Sequence, residues 1–124
     1  MSRSVEEYLK AIYSINEEGR PAKTTELAKR LKVSPPSVTQ MLKRLADEGL
    51  VEYSPYRGVI LTGRGAAIAQ RVVRKHRLLE RFLHDFLGLR KEKVHEEACR
   101  LEHGLSDEAA AALCRALKRP TTCP

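Results

Sequence analysis

Residues 33–62, VSPPSVTQMLKRLADEGLVEYSPYRGVILT, read as a helix opened by Ser34 and followed at once by a β-hairpin. Ser34 is a good N-cap. Pro35 suits the first helical position, because its fixed φ matches the first turn and its missing N–H would be unpaired there anyway. Val38, Met41, Leu42 and Leu45 recur at helical spacing until Gly49 ends the run. Apolar, β-branched segments on either side of Ser54-Pro55-Tyr56-Arg57-Gly58 predict two strands joined by a turn. Just upstream, Thr24 or Thr25 caps a short helix with Leu27, Ala28 and Leu31 facing inward. Two helices joined by a tight turn, the second opening on small polar residues, make a helix-turn-helix, and the hairpin makes a wing.

Towards the N-terminus, Ser4-Val5-Glu6-Glu7 has the pattern of a capping box, and Tyr8, Leu9, Ile12 and Ile15 carry a first helix to Gly19. Beyond the hairpin, Thr62 caps a long amphipathic helix through Ile68, Val72, Leu79, Phe82 and Phe86 that ends near Gly88. A fifth helix is predicted over HEEACRLEHGLS, residues 95–106, and a sixth from Ser106, with Asp107 and Glu108 favourable in its first turn. The expected fold is mainly α. A winged-helix DNA-binding domain with a two-stranded wing spans 1–62, and a second, helical domain spans 63–119. Residues 120–124 read as a tail, the start of a third domain where one follows.

The 124 residues carry a net charge of +7, unevenly spread. Residues 20–75 hold twelve Lys and Arg against four acids, whereas residues 76–124 hold nine against eight. A basic segment joined to a nearly balanced one is the electrostatic pattern of a nucleic-acid surface followed by something else. With four Tyr, two Phe and no Trp, the core must be mainly aliphatic. No signal peptide and no membrane-length apolar run is evident, which points to a cytoplasmic protein with no membrane partner. Three cysteines, an odd number, argue against a disulfide framework.

The N-terminal residues of a recognition helix meet base edges, so Ser34, Pro36, Ser37, Thr39 and Gln40 are the candidate base readers. Gln40 can pair with adenine through two hydrogen bonds, and the proline and hydroxyl residues can pack on thymine methyls. Lys23, Lys43, Arg44 and the wing's Arg57 suit phosphate contacts, which supply affinity and register.

In residues 95–106, His95, Cys99, Glu102 and His103 fall on an arc of about 100° if the segment is one helix. The apolar Val94, Ala98, Leu101 and Leu105 form the neighbouring stripe. Half-buried Cys, Glu and His side chains placed together are costly unless paired, and a divalent cation pairs them. His76 and Glu80, four apart on the preceding helix, bring the metal-capable residues to six.

The segments EEYLKAIY (6–13), SPPSVTQMLKRL (34–45), GLVEYSPYRGVILTGRG (49–65), KHRLLERFL (75–83) and KVHEEACRLEHGLSDE (93–108) carry a resemblance over essentially the whole chain. It resembles the diphtheria toxin repressor family of iron- and manganese-dependent transcriptional regulators, which implies DNA binding by 1–62 and a metal-binding and dimerisation domain at 63–119. The resemblance implies a primary regulatory site of Glu7, Cys99, Glu102 and His103 and an ancillary site of His76, Glu80 and His95. It implies Fe²⁺ or Mn²⁺ as cofactor, with Zn²⁺ or Co²⁺ binding in vitro, and metal-uptake, storage or oxidative-defence genes as targets. Iron-type members pair Met with Cys at the positions of Glu7 and Cys99, and manganese-type members pair Asp with Glu, so this chain mixes the sets. Lys10 stands where manganese-type members carry a further acidic ligand, and iron-type members usually continue into an SH3-like domain.

The expectation is a metal-activated homodimeric repressor that reads two-fold operator DNA, with its recognition helices roughly 34 Å apart. Leu83, Phe86, Leu113 and Leu117 are the candidate dimer surface. Two rivals are a winged-helix regulator whose metal is purely structural and an open-metal hydrolase. The second leaves the DNA-binding module unexplained, and no small-molecule substrate pocket is evident.

Overall fold

A computed structural model describes residues 2–117. It divides into two compact units, Met1–Gln70 and Arg71–Pro124. The expected tail at 120–124 lies outside the described residues.

The first unit is built from α1 (Arg3–Asn16), α2 (Thr24–Leu31), α3 (Pro35–Asp47), β1 (Val51–Ser54), β2 (Gly58–Leu61) and the start of α4 (Gly63–Arg81). Leu9, Ile12, Ile15, Leu27, Leu42 and Leu45 are fully buried in one aliphatic core. Ser34 and Pro35 open α3 as expected, with the Val38-Leu42-Leu45 stripe inward. Two expected caps are corrected. Ser2, not Ser4, caps α1, its Oγ accepting from the Val5 N–H at 3.2 Å. Glu7 is therefore not a capping-box carboxylate, and it accepts at 2.8 Å from the Arg3 guanidinium one turn earlier. Lys23 occupies the cap position of α2, so Thr24 is already helical, and the Glu26 carboxylate accepts the Lys23 N–H at 3.3 Å.

The wing pairs antiparallel from Val51 opposite Leu61 to Ser54 opposite Gly58. Two features hold it that periodicity does not reveal. Ala22 forms an isolated bridge with Val59, exchanging hydrogen bonds of 2.9 and 2.8 Å. Asn16, at the end of α1, accepts from the Leu61 N–H at 2.9 Å and donates to Arg20 O at 3.0 Å and Val59 O at 3.3 Å. Thr62 caps α4 as expected, accepting from the Gly65 N–H at 3.2 Å and donating to Gly49 O at 2.8 Å.

The boundary between units falls within α4, which ends in a π-helical turn, Phe82–Phe86. There Leu87 N–H reaches back to Phe82 O at 3.1 Å, and Gly88, at φ +69°, closes the end. The second unit adds α5 (Lys91–Leu101), a 3₁₀ turn (Glu102–Gly104) and α6 (Asp107–Leu117). Ser106 caps α6 through the Ala109 N–H at 3.0 Å. Lys75 reaches Asp107 at 3.1 Å and, by that hydrogen bond above all, holds its carboxyl below the usual range. Leu78 packs with Ala110, Cys114 and Leu117, while Leu79 and Leu83 pack with Val94 and Ala98; Leu105 and Leu113 join both groups.

The predicted single helix over 95–106 is also corrected. The α-helix stops at Leu101, and the tighter 3₁₀ turn rotates each following residue by about 120° instead of 100°. Leu101, expected on the core stripe, is 46 % exposed, and Glu102 turns fully inward.

Two outcomes follow for the first unit. A Cβ at Gly65 would lie 2.0 Å from Leu50 O, whereas one at Gly63 meets nothing within 4 Å. G65A should cost about 1–3 kcal/mol by overpacking against rigid backbone, while G63A should be neutral or gain up to about 1 kcal/mol of helix propensity. Thermal unfolding of both variants checks this, and equal behaviour would contradict the packing. Secondly, Arg20 grips Glu26 through two hydrogen bonds of 2.9 and 2.6 Å and so holds its carboxyl down at about 2, against an ordinary 4.5. A depressed folded pKa gives stability that is present above 4.5 and lost as pH falls through about 2. Acid unfolding should lose part of that slope in E26Q.

Candidate metal centre and nucleic-acid interface

The second unit brings six metal-capable side chains into one continuous network. The last turns of α4 present His76 and Glu80, α5 presents His95 and Cys99, and the 3₁₀ turn presents Glu102 and His103. In both helices the i, i+4 spacing puts the pair on one face.

Glu102 is 1 % exposed, and its Oε1 accepts from His76 Nδ1 at 2.6 Å. Its other oxygen lies 3.6 Å from His103 Nε2, whose ring is largely buried. The His76 Nδ1–H so donated leaves Nε2 as that ring's lone-pair nitrogen. That nitrogen is 3.2 Å from His95 Nδ1 and 3.2 Å from Glu80 Oε2, and Glu80 Oε2 is 3.4 Å from His95 Nδ1. Donors about 2.0–2.1 Å from a tetrahedral ion are separated by about 3.3 Å, so these three atoms already stand at ligand spacing. Cys99 Sγ approaches the opposite nitrogens, at 3.6 Å from His95 Nε2 and 3.9 Å from His76 Nδ1. One ligand atom from each of His76, His95 and Cys99 falls within 4.8 Å of the others. A set of imidazoles, carboxylates and a thiol around a buried acid fits a divalent transition ion.

Of the sequence-predicted metal residues, His76, Glu80, His95, Cys99, Glu102 and His103 are brought together. Glu7 belongs to the other unit, half-exposed beside Arg3. The candidate dimer residues divide: Leu83 and Leu117 are buried within their own unit, Leu113 is half-buried, and Phe86 is 62 % exposed with Leu87 beside it at 55 %.

In the first unit, Ser34, Pro36, Ser37, Gln40, Lys43 and Arg44 are exposed on or beside the N-terminal half of α3, and Thr39 is half-buried. The hydroxyls of Ser34 and Ser37 lie 2.9 Å apart, and Thr39 donates to Pro35 O at 3.2 Å, so the polar face is internally ordered. Lys23 Nζ donates to Arg57 O at 3.3 Å, which ties α2's start to the wing turn. Arg57 itself is exposed, next to Tyr56 at 93 % exposure. No helix among the described residues is long and apolar enough to cross a membrane.

Comparison with known proteins agrees with both halves. Residues 1–59 match the family described as "Iron dependent repressor, N-terminal DNA binding domain", and residues 62–124 match "Iron dependent repressor, metal binding and dimerisation domain". The chain is 50% identical over 109 residues to an uncharacterised HTH-type transcriptional regulator of Methanocaldococcus jannaschii, covering 87% of each. It is 45% identical over 121 residues to the diphtheria toxin repressor of Corynebacterium efficiens, covering 98% of this chain and 53% of that relative. The solved structure of the manganese regulator SloR superposes with a TM-score of 0.84 at 38% identity, covering all of this chain and 58% of that one. The chain thus spans about half the length of the named repressors and most of the archaeal regulator. With a recognition helix and wing in one unit and a six-donor cluster in the other, the chain belongs to the iron-dependent repressor family.

Proposed function

We propose that the chain is a metal-dependent transcriptional repressor that binds two-fold operator DNA as a homodimer when loaded with Fe²⁺ or Mn²⁺. The observation that carries this reading is the network His95–His76–Glu102–His103, closed at 2.6–3.6 Å around a buried carboxylate. It combines donors for a transition ion with a first unit whose polar, basic face is exposed. Glu7, Cys99, Glu102 and His103 form the primary site, and His76, Glu80 and His95 the ancillary one. The winged helix runs to Thr62, and the metal-binding and dimerisation domain follows it. The exposed Phe86 contributes the apolar part of the dimer surface, with Leu83, Leu113 and Leu117 supporting it.

When bound, the ion supplies a fixed positive centre for groups that otherwise satisfy one another. Because ion and DNA favour the same state, each strengthens the other's binding by an equal factor, typically about 1–3 kcal/mol. Fluorescence anisotropy on duplex DNA from upstream of metal-transport genes, anaerobic and at fixed salt, should show binding about tenfold or more tighter with Mn²⁺ or Fe²⁺ than with chelator. E102Q should stay folded and lose that response. Tight binding indifferent to metal, or chelation that melts the second unit, would leave the metal a structural role only. Within the interface, Q40A should lose about 1–3 kcal/mol on the preferred sequence and relax discrimination at one base pair. R44A should weaken all sequences alike and lower the salt slope by about one.

A further inference from the structure

One face of α4 in the second unit carries more positive charge than its surroundings offset. Arg71, Arg74 and Lys75 stand three and four residues apart, which on a helix sets them side by side. Like charges at that spacing repel one another. A single acid faces all three. Asp107, in the first turn of α6, accepts from Lys75 Nζ at 3.1 Å through Oδ1, and its Oδ2 lies 3.8 Å from Arg71 Nη1. Arg74 acts on the same carboxylate through its charge, and among the described residues it has no hydrogen bond or ion pair of its own. The Lys75 side chain is only 17 % exposed, so its ammonium has given up most of its water for that one partner.

These groups line a groove of about 240 Å³ whose floor includes the buried Leu78 and Ala110. Clefts that take drug-sized ligands run to about 300–1,000 Å³, so this one suits a smaller occupant. The apolar floor keeps water from one side of the cations, where a charge-assisted hydrogen bond gains in strength. Three cations against one carboxylate leave an excess of two positive charges, the complement of a phosphate dianion. The planar guanidinium forks of Arg71 and Arg74 match phosphate oxygens in pairs.

We propose that this groove binds a small phosphate-bearing anion, inorganic phosphate or a phosphate monoester, held by Arg71, Arg74 and Lys75. Asp107 gathers the cations in advance and competes with the anion for them. The site uses none of the metal-capable side chains and gives the second unit an input of its own, a clamp between α4 and the start of α6.

The test is calorimetric titration of the full chain with inorganic phosphate and, separately, with glycerol phosphate, at fixed ionic strength in chloride. Binding of either supports the site and names the source of the phosphate group. R74Q should weaken the affinity about tenfold, the loss of one charge-assisted hydrogen bond, and should fold normally because Arg74 holds no structural partner. D107N should strengthen it about fivefold, the effect of removing one like charge about 4 Å from the anion in water. R44Q, on the recognition helix, should leave it within about twofold. No binding of either anion, an unchanged affinity in R74Q, a weaker one in D107N, or an equal loss in R44Q would overturn the proposal. R74Q should also keep the DNA affinity and salt slope of the unmodified protein. A slope lowered by about one in R74Q, with neither anion bound, would make the groove a DNA-backbone contact instead.

Discussion

A carboxylate with no solvent exposure organises the second unit. Glu102 is removed from water, and a buried carboxylate left without a partner would cost several kcal/mol. His76 supplies the hydrogen bond that makes its burial tolerable, at 2.6 Å, and the two belong to different elements, α4 and the 3₁₀ turn. Satisfying Glu102 therefore fixes the end of α5 against α4 more specifically than the small aliphatic clusters around Leu78 and Leu79 could do alone. The same bond orients the His76 ring and so sets which nitrogen remains for a metal. Structure and ligand preparation are one interaction here.

The first unit solves a different problem. A two-stranded hairpin is marginal by itself in water, and the wing must be held at a defined place beside α3. Three contacts do this without a large sheet: the Ala22–Val59 bridge, the Asn16 side chain on Arg20, Val59 and Leu61, and Lys23 on the carbonyl of Arg57. All come from α1 or the segment leading into α2. The region that looks like a mere connection between helices is thus the wing's support. At the other end Gly65 lets α4 start directly against the backbone of Leu50.

These contacts also mark where the sequence was readable. Ser34-Pro35, Thr62 and Ser106 announce three helix starts through chemistry that acts within three residues, and the hairpin follows from composition on both sides of its turn. The i, i+4 pairs His76/Glu80 and His95/Cys99 were legible because helical periodicity alone puts them on shared faces. Asn16 was not, since its partners lie 43 and 45 residues away and nothing local requires them. Leu101, expected on the core stripe, is exposed, and Glu102, expected half-buried, is fully buried, because the α-helix tightens to a 3₁₀ turn just there. Ser4 read as the cap because Glu7 completed a local pattern, yet Ser2 holds that place and Arg3 claims the carboxylate.

Selectivity among metals is the property that this arrangement makes hardest to obtain from affinity. A site mixing imidazole, carboxylate and thiolate binds later first-row ions more tightly than Mn²⁺ or Fe²⁺, whatever its signalling role. Discrimination must then come from which donors an ion recruits and what those donors were needed for. Glu80 and Cys99 meet opposite nitrogens of the same two rings. In such a design a tighter-binding ion need not be a better signal.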